Sequence, residues 1–238
     1  MLTLLLPTMY GKKAADAPVS SFAADLREGI RGFTHSPMLV ALCVLFTVGN
    51  LASAATYSLL SLTVVERLNV PAATYGFVLA GGAVGAALGG AFGARIGTLT
   101  RPGTTIVWTT LVSGLATAGL GLVDNVVALI ALMAVDGFVV MVQSVITVSL
   151  RARLIPNHML GRVTAVFRTL SMGAAAAGAL LGGLLARTLG LSWPFVVAGA
   201  IVVLLAPALL PWLNNRRLAE AVPAKGSVDG APTPPRSS

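Results

Sequence analysis

The sequence predicts an all-α membrane protein made of six transmembrane helices, on three observations. The 238-residue chain is 56% hydrophobic and only 10% charged, whereas a soluble domain is about a quarter charged. Six apolar segments, 38–64, 76–94, 104–123, 126–150, 164–186 and 193–213, come close to or exceed the ~20 residues that cross ~30 Å of hydrocarbon. Six crossings put both termini on one side, and of the sixteen Lys and Arg residues all but Arg67 and Arg187 then fall on that side. Positive loops stay in the cytoplasm, so both termini are expected there and the chain in the plasma (inner) membrane.

Residues 1–37 read as a cytoplasmic N-terminal segment. Leu2–Leu6 resembles the tail of a preceding span, which favours a truncated product, and the missing basic n-region argues against a cleavable signal. Phe22, Leu26, Ile30 and Phe33 then recur at helical spacing opposite Asp25, Arg27, Glu28 and Arg31. That pattern predicts an amphipathic helix along the membrane surface, capped at Ser21 and stopped at Pro37. Residues 38–213 form the membrane domain, with Pro207 expected to kink the last span. Residues 214–238, rich in Ala, Pro, Gly and Ser, read as a disordered cytoplasmic tail.

The net charge of +8 is spread over loops and tails rather than one face, so no nucleic-acid partner is expected. Cys43, the single cysteine, sits in an apolar span and reads as a small packing residue. His35 and His158 fall in loops in no ligand array, so neither metal nor other cofactor is expected. Trp193 and Trp212, at opposite ends of the sixth span, fit interfacial belts, and Trp108 fits one near the start of the third.

Glycine recurs every fourth residue through the second span, at Gly81, Gly85, Gly89, Gly93 and Gly97, and a shorter stripe, Ala174, Gly178, Gly182 and Ala186, marks the fifth. On a helix each set lines one face, and a face without side chains lets another backbone come close in lipid. Each glycine costs about 1 kcal/mol of helix propensity relative to alanine, so something must press against the stripe.

Polar residues inside the spans are the candidates for chemistry. Asn50, Tyr57 and Ser61 share a face of the first span; Asp136, Val140, Gln143 and Thr147 share one of the fourth. Asp136 lies ten residues past Val126, so ~15 Å along the axis and near the midplane. An aspartate there costs about 3 kcal/mol to insert and faces a cavity or a partner rather than lipid. Two readings stand: it binds a proton, a cationic substrate or each in turn, or it is a protonated structural group bonded to a neighbouring hydroxyl or carbonyl. Asn50, Tyr57 and Gln143 are weaker candidates for the same cavity, the alternative for each being a bond to an adjacent helix.

Spans one to three and four to six share a plan: a long helix with midspan polar residues, a small-residue helix, then a peripheral one. Three spans is odd, so the second triplet is inverted, a 3+3 arrangement found in secondary transporters. Particular residues add a resemblance. Asp25 to Gly29 before the first span, Tyr75-Gly76 opening the second, Pro156 through Gly161, Arg162 and Val163 into Phe167-Arg168, and Gly178 to Gly183 are similar in order and spacing to the C-terminal half of a major facilitator superfamily transporter. The likeness is strongest to its drug and siderophore (enterobactin-type) efflux branch. Gly90, Arg95, Gly97 and Arg101 resemble the superfamily's cytoplasmic loop motif, with Ala94 where that motif has an acid. Gly161 and Arg162 belong to the same cytoplasmic set.

The resemblance implies half of a major facilitator fold. The first helix of each triplet would line a substrate cavity, the second would dock the other half, and the third would be peripheral. Gly81, Gly85, Gly89, Gly178 and Gly182 are thereby expected at the half–half interface. The function implied is proton-coupled efflux of a small amphipathic substrate by alternating access, with the bilayer and a second six-helix half as partners. That second half is a missing N-terminal one, a separately encoded one, or a second copy. The alternatives are an inert or regulatory membrane fragment and an intramembrane enzyme. Against the latter, Gly190-Leu191-Ser192 lacks the nucleophile motif's final glycine, the aspartates are isolated, and no phosphate loop is visible.

Overall fold

The computed structural model describes residues 37–154 and 157–211. The expected amphipathic helix, the C-terminal tail, Trp212, and the side chains of His158 and Arg162 lie outside the described residues. Within them the chain forms six long helices and no strand. The first, α1, spans Pro37–Leu62 and runs on through a π-helical turn, Thr63–Arg67. It is followed by α2 (Ala73–Leu99), α3 (Pro102–Leu120), α4 (Val126–Leu154), α5 (Asn157–Leu189) and α6 (Trp193–Leu209).

Four stretches are long and apolar enough to cross a membrane: Pro37–Arg67, Ala73–Leu99, Val126–Arg151 and Val163–Leu189. The expectation of six such segments is met in part. The hydroxyls of Thr104, Thr105, Thr109, Thr110, Ser113 and Thr117 dilute the hydropathy of α3, and α6, at 17 residues, ends two residues past Pro207. Conversely, α2 continues five residues past its expected end and α5 begins seven residues early. Gly90, Arg95 and Gly97 therefore lie within α2 and Gly161 within α5, leaving Thr100 and Arg101 to join α2 to α3. Arg95 and Arg101 are exposed.

Close approaches between glycines and neighbouring backbones set the order of the helices. Gly81, Gly85, Gly89 and Gly93 meet Ile130, Ala134, Phe138 and Val145 in turn, so α2 and α4 run parallel. Gly178 and Gly182 meet Leu51 and Ala55, so α5 and α1 do too. Gly114 meets Val203, and Gly121 meets Ser192, which makes α3 and α6 antiparallel. With α4 against α3 and α6 against α1, the helices sit side by side in the order α2, α4, α3, α6, α1, α5.

This arrangement corrects the sequence expectation for the glycine stripes. Gly81, Gly85, Gly89, Gly178 and Gly182 face helices of their own chain rather than a second half. A Cβ on Gly81 would lie 2.8 Å from Ile130 Cγ2, and one on Gly182 would lie 2.6 Å from the Ala55 carbonyl oxygen. Gly137 of α4 returns the approach, its Cβ position meeting the Gly82 carbonyl. The physical reason is that, among the described residues, each glycine helix packs chiefly on one parallel neighbour. Its bare face is used to reach that neighbour, and the surface left outward carries larger chains: Phe77, Val84, Leu88 and Phe92 on α2; Leu180, Leu181 and Leu184 on α5.

Two apolar clusters close the ends of the bundle. One gathers Leu42, Ile106, Ile146, Leu150, Val163, Phe167 and Leu209 at the end that carries Arg95 and Arg101, called here the basic end. The other joins Leu60, Val64, Val78, Leu120, Leu129, Met133 and Phe195 at the opposite end. There Arg67 donates to the Leu120 carbonyl (3.4 Å), the Val123 carbonyl (3.1 Å) and the Asp124 carboxylate (2.8 Å). It supplies donors to the last carbonyl of α3 and to one in the connection that follows it.

Candidate functional site: a polar cavity at mid-depth

Between the two apolar clusters the bundle holds a cavity of about 250 Å³. Its walls come from Phe46, Gly49, Asn50 and Ser53 of α1, Thr110, Ser113 and Thr117 of α3, Gln143, Ser144 and Thr147 of α4, and Val202 and Leu205 of α6. A hydroxyl suits a membrane interior where it can bond a carbonyl one turn back along its own helix. Thr110 Oγ1 donates to the Ile106 carbonyl at 2.7 Å, for example, and keeps its lone pairs for the cavity side. Gly49 leaves open space where a side chain would stand, with nothing within 4 Å of its Cβ position.

The sequence-predicted residues divide between this cavity and a smaller cleft beside it. Asn50 and Gln143 line the cavity. Asn50 Nδ2 donates to the Phe46 carbonyl of its own helix (2.8 Å), while Gln143 Nε2 donates across to Thr110 Oγ1 (2.9 Å). Tyr57 and Asp136 line the cleft, about 10 Å³, which shares Ser53 and Thr117 with the cavity. Asp136 is 8% exposed and accepts a 2.6 Å hydrogen bond from Ser113 Oγ. Ser113 also faces the cavity, so one hydroxyl separates the carboxylate from the larger space.

Sequence reasoning missed the contribution of α3. Read as peripheral, it supplies Thr110, Ser113 and Thr117, which back the cavity and hold both Asp136 and Gln143. The signal was available, since positions 110, 113 and 117 share one helical face. Also missed was Arg151 at the basic end of α4. Its guanidinium carbon lies 5.3 Å from the Phe46 ring centre and 5.0 Å from that of Phe167, and the two rings meet edge to face. No sequence spacing pairs residues from α1, α4 and α5. Among the described residues no group of three or more His, Cys, Asp or Glu is placed to hold a metal.

A helical bundle with membrane-length apolar helices and a cavity of mixed hydroxyl, amide and apolar lining at mid-depth defines a multi-pass membrane protein with an internal cavity. Comparison with known proteins refines that class. The family model for transmembrane secretion effectors matches residues 1–229, and the chain belongs to that family, within the major facilitator superfamily. It is 26% identical to the enterobactin exporter EntS of Escherichia coli O157:H7 over 207 residues, which cover 87% of this chain and 49% of that protein. It is also 29% identical to enterobactin exporters EntS of Escherichia coli O9:H4 (strain HS) and Shigella boydii serotype 18 over 161 residues, 67% of this chain and 38% of theirs. The chain spans about half the length of the curated relatives it matches.

Proposed function

We propose that this chain is one six-helix half of a secondary carrier that exports a small amphipathic molecule by alternating access, with proton coupling through Asp136. The observation that carries the reading is the cavity: its hydroxyl and amide groups converge from α1, α3 and α4 at mid-depth, with a buried carboxylate one hydrogen bond away. Membership of a superfamily of carriers and similarity to named exporters support transport rather than catalysis. Enterobactin is the first cargo to test.

The half reading draws support from the helix pairing. Exchanging α1 with α4, α2 with α5 and α3 with α6 turns the pair α2–α4 into α5–α1, turns α3–α4 into α6–α1, and leaves α3–α6 unchanged. Such invariance is the mark of an inverted three-helix repeat. A companion six-helix unit, from a separate chain or a second copy, would close the cavity by docking the outward faces of α2 and α5, opposite their glycine seams. With all six helices crossing the inner membrane, the basic end faces the cytoplasm.

The experiment is uptake of labelled enterobactin into inside-out vesicles under an imposed proton gradient, with this chain alone and with a candidate companion. Asp136→Asn keeps the shape and the Ser113 bond but cannot exchange a proton, so proton-driven uptake is expected to vanish. Unchanged uptake in the variant removes Asp136 from the coupling, and no uptake in any pairing refutes the carrier reading.

A further inference from the structure

The basic end of the cavity has one unsatisfied group in its wall, Thr147, and a second, Arg151, beside the wall residue Phe46. Thr147 is 2% exposed and lines the cavity, yet its Oγ1 has no hydrogen-bond partner. One turn further along the same face of α4 is Arg151, half-buried, whose Nε is buried and also without a partner. The two positions are ~6 Å apart along the helix axis. The rings of Phe46 and Phe167 flank the guanidinium and hold it in place, and Phe46 is itself a wall of the cavity. Among the described residues the one ion pair is Arg67 with Asp124, at the opposite end, so none of these supplies Arg151 with a carboxylate.

Aromatic faces attract a cation but accept no hydrogen bond along the guanidinium plane. A buried hydroxyl and a guanidinium N–H left unbonded are destabilising unless an acceptor arrives. An anion with two oxygens answers both, because a carboxylate accepts through each oxygen and matches the planar donor set of arginine.

We propose that Arg151 and Thr147, with Phe46 as the adjoining wall, form an anion-binding subsite at the basic end of the cavity, and that it receives a carboxylate-like group of the transported molecule. The subsite deepens the carrier reading and rests on it. It gives the cargo a polarity, with the anionic group toward the basic end and the apolar remainder toward Val202 and Leu205. The neighbouring end of the bundle also faces lipid headgroups, whose phosphate offers the same chemistry, and the test separates the two sources.

The chain is placed in nanodiscs of zwitterionic phosphatidylcholine, and binding of 4-fluorobenzoate and of its neutral analogue 4-fluorobenzyl alcohol is followed by fluorine NMR line broadening. The acid is expected to bind roughly 10-fold tighter than the alcohol, the ratio that one charge-assisted hydrogen bond supplies. Arg151→Gln should erase that preference, Arg151→Lys should retain part of it, and Thr147→Val should weaken the acid with the alcohol unchanged. Arg187→Gln, at the far end of α5, should leave both probes unaffected. Equal binding of acid and alcohol by the unmodified chain overturns the subsite without requiring any variant to fold. So does a preference that survives Arg151→Gln. In nanodiscs containing phosphatidylglycerol the preference should persist; its loss there assigns the subsite to a lipid headgroup and overturns the cargo assignment. Vesicle uptake that continues while the preference fails removes the subsite alone, whereas a preserved preference without uptake in any pairing removes the carrier reading.

Discussion

Substituting alanine at Gly85 tests where the glycine seam of α2 is used. The Cβ would meet the carbonyl and Cα of Ala134, which are backbone atoms of a second helix and cannot rotate aside. The same geometry at Gly182 leaves 2.6 Å to the Ala55 oxygen and 2.9 Å to its Cα, about 1 Å short of van der Waals contact. To admit a methyl, α2 must move away from α4 along the whole seam, loosening the approaches at Gly81 and Gly89 as well. Overpacking of this kind costs about 1–3 kcal/mol. Alanine returns up to ~1 kcal/mol of helix propensity, leaving a net loss of up to about 2 kcal/mol. Gly173 of α5 is the control, because its Cβ position has nothing within 4 Å. Gly173→Ala should be neutral or stabilising by up to ~1 kcal/mol. The assay is equilibrium unfolding of the isolated chain in detergent micelles, followed by circular dichroism with increasing denaturing surfactant. If Gly85→Ala proves as stable as Gly173→Ala, the seam is not engaged within the chain. The original expectation, that it waits for a second half, would then return.

Further outcomes follow from the same structure. Gly49→Trp should fold as the parent does, because its Cβ position points into open space, yet abolish vesicle uptake by filling the cavity; normal uptake would refute the cavity as the route. At the opposite end, Arg67→Ala removes donors from two carbonyls and a carboxylate and should cost about 1–2 kcal/mol in the same unfolding assay. Asp124→Asn, at an 81% exposed side chain, should cost less than ~1 kcal/mol. A double-mutant cycle of Gln143→Leu with Thr110→Val should return a coupling of about 0.6 kcal/mol, the size of an interhelical polar bond in a membrane.

Local features of the chain were legible without coordinates because they depend on neighbours in sequence. Composition and hydropathy located all six helices, with ends that moved by several residues at α2, α4, α5 and α6. The small-residue stripes were recognised as contact surfaces, since a spacing of four places residues on one helical face whatever lies opposite. The same rule put Asp136, Gln143 and Thr147 on one face of α4, and that face does border the cavity and its cleft.

What lies opposite is a question of three-dimensional arrangement, and there the reading of the stripes went astray. A bare face attracts any backbone that fits it, and nothing in Gly85 or Gly178 distinguishes a helix of the same chain from one in a companion. Folding brought α4 and α1 to those faces, and that choice depends on all six helices together. The identity of Asp136's partner, Ser113 on α3, and the meeting of Arg151 with Phe46 and Phe167 arose the same way. Each joins side chains from separate helices, so each depends on how the helices cross, a property of their combined surfaces rather than of any one segment.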